Sequence, residues 1–79
     1  MNMAPVTAAM AAQRLGRSPT TIRLWAHRYA ARTLGRDGRQ VVYDYDDLAT
    51  IEWCIWAGHV VPLTPEERDE LRAARRRAA

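Results

Sequence analysis

At 79 residues, with 12 basic residues that are all arginine and 9 acidic ones, the chain has room for one domain, or one domain and a tail. Its single cysteine, Cys54, excludes an intramolecular disulfide and a cysteine–histidine zinc set, and no apolar run approaches the length of a membrane span. The net charge of +3 is unevenly placed. Residues 1–43 hold seven arginines against Asp37 alone, a surplus of six, while residues 44–79 hold five against eight acids, a deficit of three. Such a basic half is the electrostatic footprint expected of a nucleic-acid binder, since charge asymmetry speaks of partners rather than of fold. The opening stretch MNMAPVTAAMAAQ has neither the positive leader nor the long apolar centre of a signal peptide. The expectation is a soluble cytoplasmic protein, near the size at which a lone core only just holds a fold.

Taken in chain order, Thr7 reads as the cap of a first helix, with Ala8, Ala11, Ala12 and Leu15 on one buried stripe and Gly16 as the stop. Ser18-Pro19 starts a second helix, with serine as N-cap and proline where its missing N–H costs nothing. On that helix Ile22, Trp25, Ala26 and Tyr29 share a core stripe, and Thr20, Arg23, Leu24, His27 and Ala31 project from the opposite side, flanked by Thr21 and Arg28. The pattern then changes at TLGRDGRQVVYDY, where Asp37-Gly38 between extended segments predicts a β-hairpin carrying Arg36 and Arg39 at its tip.

A third helix is expected to begin at Asp44 or at Tyr45-Asp46 and to run through Ala57, with Asp46 and Asp47 favourable to its dipole and Gly58 as its stop. Leu48, Ile51 and Ile55 form one stripe, and Trp53 and Trp56 lie beside it, so the apolar arc is too wide for a helix resting on one core. Either a partner or the chain's own last helix must cover the tryptophans. That last helix opens with a capping box, Thr64 to Glu67, with Pro65 at its first position. It is expected to fold back through Val60, Val61, Leu63 and Leu71 and to fray over RAARRRAA.

Helix, tight turn, helix and basic hairpin together make a winged helix-turn-helix arrangement. The stretches VTAAMAAQRLGRSPTTIRLWAHRY and GRDGRQVVYDYDDL resemble the DNA-binding domain of the MerR superfamily and the related small phage excisionases. The resemblance rests on Leu15, Gly16, Ser18, Pro19, Thr21, Ile22 and Arg23, and then on Tyr43, Asp47 and Leu48, covering about residues 6 to 50. Leu24 stands where the family usually has an aromatic residue or arginine, and Val41 where it often has arginine. MerR regulators continue into a long coiled-coil helix and an effector domain; only about 20 residues follow the third helix here, so ligand sensing by that route is not expected.

The resemblance implies a mostly α fold with a small hairpin: a winged helix-turn-helix DNA-binding domain over residues 1–62, then a C-terminal helix and basic tail over 63–79. It implies that the second helix enters the major groove of double-stranded DNA while the hairpin follows the backbone or a minor groove. The exposed faces agree. Thr20, Arg23 and His27 sit where recognition helices reach base edges, and Arg23 suits a guanine or a phosphate. Arg17, Ser18, Thr21 and Arg28 gather with Leu24 around the same helix, and Arg17, Thr21 and Arg28 suit phosphates, as does the positive start of the helix itself. Arg36, Arg39 and Gln40 form the wing contact set, suited to phosphates or a narrow minor groove.

Two functions follow, from different classes. The first is sequence-specific duplex binding, as an excisionase-like architectural factor or a small transcription regulator of a prokaryote, phage or mobile element. The second is a protein-interaction module that docks a toxin, recombinase or packaging subunit through Trp53, Trp56 and the C-terminal helix; self-association would use the same surface. No enzyme is expected. Ser18, the only serine, is a cap, and Cys54 and His59 have no assembled partners. Asp44, Asp46, Asp47 and Glu52 are better explained by capping than by a metal, so no metal, cofactor or small-molecule ligand is expected.

Overall fold

The computed structural model describes residues 4–78. Residues 1–3 and 79, which close the two expected domains at either end, lie outside the described residues. The chain forms β1 (Pro5–Val6), α1 (Ala8–Leu15), α2 (Pro19–Arg28), β2 (Thr33–Asp37), β3 (Gln40–Asp44), α3 (Tyr45–Ala57) and α4 (Pro65–Ala78). Four helices thus accompany a three-stranded antiparallel sheet of order β1-β3-β2.

Local chemistry sets most of the boundaries. The Thr7 and Ser18 hydroxyls accept from Met10 N at 3.3 Å and Thr21 N at 3.1 Å, and the Asp44 carboxylate accepts from Asp46 N at 3.2 Å. Each bond satisfies one donor orphaned at a helix start. In α4 the Thr64 hydroxyl accepts from Glu67 N at 3.1 Å and donates to the Glu67 carboxylate at 2.9 Å. Helices α1 and α3 close with Gly16 and Gly58 in the left-handed region, as their sequences predict.

Helix α2 closes with the same six-to-one bond as α1 and α3, but without a glycine. Ala31 N donates to Ala26 O at 3.0 Å, the six-to-one bond of a Schellman end, with Ala30 in the left-handed position at φ 51°. Ala30 is the one non-glycine residue with positive φ among those described.

The core joins β1, α1, α2 and α3: Val6 of β1, Ala8, Ala11 and Ala12 of α1, Ile22, Trp25 and Ala26 of α2, Leu48, Ile51 and Cys54 of α3, and the linking Ala31 and Val61. The alanine face of α1 lets α2 and the sheet approach closely, as the stripe spacing predicts.

Several sequence expectations are corrected. The sheet has a third strand, because Pro5 and Val6 pair with Asp44 and Tyr43. A two-residue strand is too short to leave a periodic signal. The hairpin loop is Gly38-Arg39, since Asp37 already pairs with Gln40. Gly38 takes φ 62° and Arg39 does not, the sign pattern of a II′ turn with glycine first. Ala31 is buried rather than projecting, because the chain leaves the helix at Ala30 and turns inward. Ile55, Val60 and Leu63 are exposed at 36%, 91% and 69%, so of the return segment Val61 alone is buried and of α4 Leu71 is partly so. Helix α4 continues to Ala78 rather than fraying over RAARRRAA.

Helix α4 runs in the same direction as α3. Its contacts step along both helices together: Arg68 bonds Asp47, Arg72 bonds Thr50, and Arg75 lies over Trp53. The segment 58–64 therefore travels back along α3 before α4 begins.

Candidate nucleic-acid interface

Helix α2 is amphipathic with an exposed side of Thr20, Arg23, Leu24, His27 and Arg28. Its start is fixed by the Ser18 cap, and its buried side by Ile22, Trp25 and Ala26. The hairpin stands beside it, and a cavity of about 200 Å³ lies between the two, lined by Ala8, Arg23, Arg39, Gln40, Val41 and Tyr43. Two arginines line this cleft from different elements, and no carboxylate does.

The sequence leads to Arg23, Arg39 and Gln40 but not to the cleft that joins them. Tyr43 and Val41 were missed as lining residues. Their signal is the two-residue period of β3, which puts Val41 and Tyr43 on one face.

The arginines differ in what neutralises them. Among the described residues, Arg23, Arg28, Arg36 and Arg39 have no carboxylate within ion-pair distance, whereas Arg17, Arg32, Arg68 and Arg72 do. Arg17 pairs with Glu52 at 3.0 Å and lies 5.4 Å from the centre of the Trp25 ring. It is thus held against the protein at the head of α2. Thr21 is half-buried, and its hydroxyl accepts from the Ser18 hydroxyl at 2.9 Å, so both side chains serve the start of the helix. Thr20, Arg23, Leu24, His27 and Arg28 on α2 and Arg36, Arg39 and Gln40 on the hairpin are all exposed.

The two tryptophans part company. Trp53 is half-buried: the Arg75 guanidinium lies 3.6 Å from its ring centre, and His59 stacks on it at 4.9 Å and 22°. The chain's own last helix and return segment therefore cover Trp53. Trp56, one turn on, is 74% exposed.

The main residue that sequence reasoning missed is Arg68. It is fully buried beside an equally buried Asp47. Its Nε donates to Asp47 Oδ1 at 2.5 Å and its Nη2 to Oδ2 at 2.8 Å, a two-pronged pair. The remaining donors reach the carbonyls of Tyr29 at 2.9 Å, Pro62 at 2.8 Å and Ala30 at 3.3 Å. Asp47 also accepts from Arg32 N at 2.7 Å. The pair is tolerable in the core because its polar atoms all find partners, and no buried side-chain polar atom among the described residues lacks one. Asp47 is therefore a core anchor as well as a residue of the first turn of α3.

A second ionic group surrounds it. Arg32 bonds Asp69 at 2.8 and 3.0 Å and approaches Asp44 at 3.4 Å. The hydrogen bond to Asp69 leads the effects that raise the Arg32 pKa, and the same bond leads those that hold the Asp69 carboxyl below its ordinary 3.8. Cys54 sits at the other end of α3 with no exposure, and burial raises its thiol pKa.

No group of three or more histidine, cysteine, aspartate or glutamate side chains arranged to hold a metal occurs among the described residues, and none of the described helices is long and apolar enough to cross a membrane. No protein-family model matches the chain, and comparison with curated proteins and with solved structures finds no match.

Proposed function

We propose that this chain binds double-stranded DNA as a minimal winged helix-turn-helix protein, with α2 in the major groove and the β2–β3 hairpin as the wing. The observation that carries the reading is the convergence of Arg23 and Arg39, from helix and hairpin, on one cleft with no carboxylate in it. Cations left without internal partners on two adjacent elements suit a polyanion that passes between them. Arg23 and His27 are polar groups able to address base edges, and the exposed Leu24 offers an apolar contact of the kind a thymine methyl accepts. An architectural, excisionase-like role or a small regulatory one follows from the same surface, with no enzymatic step and no cofactor.

The test is amide chemical-shift mapping with a short duplex added to labelled protein. Perturbations gathered at residues 20–28 and 36–43 support the reading. Perturbations confined to residues 53–63, or none, contradict it.

One observation favours a second reading, a protein-docking module. Trp56 and Val60 are 74% and 91% exposed at one end of α3, far more than folding requires. Binding of a protein partner that Trp56→Ala abolishes and Arg23→Ala leaves intact would support this alternative.

A further inference from the structure

Helices α1 and α3 close with glycine in the left-handed position, but α2 closes with Ala30 at φ 51°. A left-handed residue with a Cβ is strained, and its surroundings must hold it there. What surrounds this one is Arg68. Its guanidinium takes the carbonyls of Tyr29 and Ala30, the two residues at which α2 ends. The same group, through Asp47, holds the N–H of Arg32, one residue before β2 begins. A single buried cation from α4 therefore grips both the exit of α2 and the entry to the hairpin.

Helix α4 docks with little apolar burial. Arg68 is its one buried residue, Leu71 is partly buried, and the remaining ties are polar or cation–π: Asp69 to Arg32, Arg72 to Thr50, and Arg75 to Trp53. Removing Arg68 would leave Asp47 buried without its counter-charge and free the carbonyls of Tyr29 and Ala30 at the joint between α2 and the hairpin, along with that of Pro62 in the return segment.

We propose that Arg68 is a positioning residue for the α2–hairpin face: it fixes the relative placement of Arg23 and Arg39 without touching the ligand, so the C-terminal helix is part of the DNA-reading device. This rests on the DNA reading above. Arg68→Lys is the informative variant, because it keeps the charge and hence the general attraction to phosphate while replacing a rigid fork by a point donor.

Two measurements on the full chain test the proposal. The first needs no DNA: hydrogen exchange of the wild-type protein in low denaturant. Amides of α4, of Ala31 and of Arg32 are expected to open in one step with one denaturant dependence. Opening of α4 while Ala31 and Arg32 stay protected overturns the proposal, and this readout stands even if the variant does not fold. The second compares wild type and folded Arg68→Lys on a preferred duplex and on a scrambled one. The preference is expected to fall about two- to thirtyfold, with affinity for the scrambled duplex unchanged. An equal loss on both duplexes, as general destabilisation would give, or no loss, overturns it. Wild-type protein that binds neither duplex contradicts the DNA reading itself, whatever the exchange shows.

Discussion

Arg23 and Arg39 expose their charge to a shared cleft, while Arg68 spends all its donors inside the protein. The same side chain thus has opposite uses, decided by whether a carboxylate lies within reach. Other residues make sharp predictions of their own. Ser18→Ala removes the acceptor for Thr21 N and should lower stability by about 1 kcal/mol, read as an earlier denaturant midpoint at unchanged m-value. Cys54 combines zero exposure with a thiol pKa raised by burial, so it should resist a thiol reagent such as DTNB in the native protein and react fully in denaturant. Fast native modification would mean that α3 opens far more readily than its packing implies. Trp56→Ala should change stability by no more than about 0.5 kcal/mol, because little of the ring is covered. Trp53→Ala should cost more, because it also removes the platform for Arg75 and His59.

At the scale of elements, α4 is held largely by charge, and its attachment should therefore respond to acid. Arg32, chiefly by its hydrogen bond, holds the folded Asp69 carboxyl below 3.8, so the unfolded chain takes up that proton at a higher pH than the native one does. The stabilisation is complete above the unfolded value and is lost as pH falls through the folded one. Thermal melts should show a falling midpoint below about pH 4, with a shallower fall in Asp69→Asn. Equal slopes would mean that the Arg32–Asp69 contact adds nothing. The elements also show why some of the structure was legible in the sequence. Caps and stops at Thr7, Gly16, Ser18, Asp44, Gly58 and Thr64 act over three or four residues, so their chemistry is visible in a short window. The Arg68–Asp47 pair spans 21 residues, and an arginine within PEERDELRAARRR has the local appearance of a solvated one. Strand β1 is equally hidden, since two residues carry no period, and its partners Tyr43 and Asp44 lie far along the chain. Of the candidate interface, the exposed side of α2 follows from helical spacing. The cleft does not, because its walls come from α1, α2 and the hairpin, which lie far apart along the chain.

Across the whole molecule, Arg23, Arg28, Arg36 and Arg39 of α2 and the hairpin stand without a carboxylate within ion-pair distance, while Asp44, Asp47, Glu66 and Asp69 of the second half pair with Arg32, Arg68 and Arg72 beside α4. Duplex binding by this surface should weaken steeply with salt, each phosphate contact adding about 0.9 to the log–log slope. A chain of 79 residues presents a small footprint, so tight binding should require several sites or copies acting together, visible as cooperativity on longer duplexes. The most direct measurement is a titration of the protein into labelled duplex drawn from around its own gene, at two salt concentrations, beside Arg23→Ala and Arg39→Ala. Saturable, salt-dependent binding is expected. Each substitution should weaken it, either by lowering the salt slope by about 0.9, as a lost phosphate contact does, or by erasing preference for the site, as a lost base contact does. Binding that is absent, or that neither substitution alters, would contradict the assignment of the α2–hairpin face to DNA.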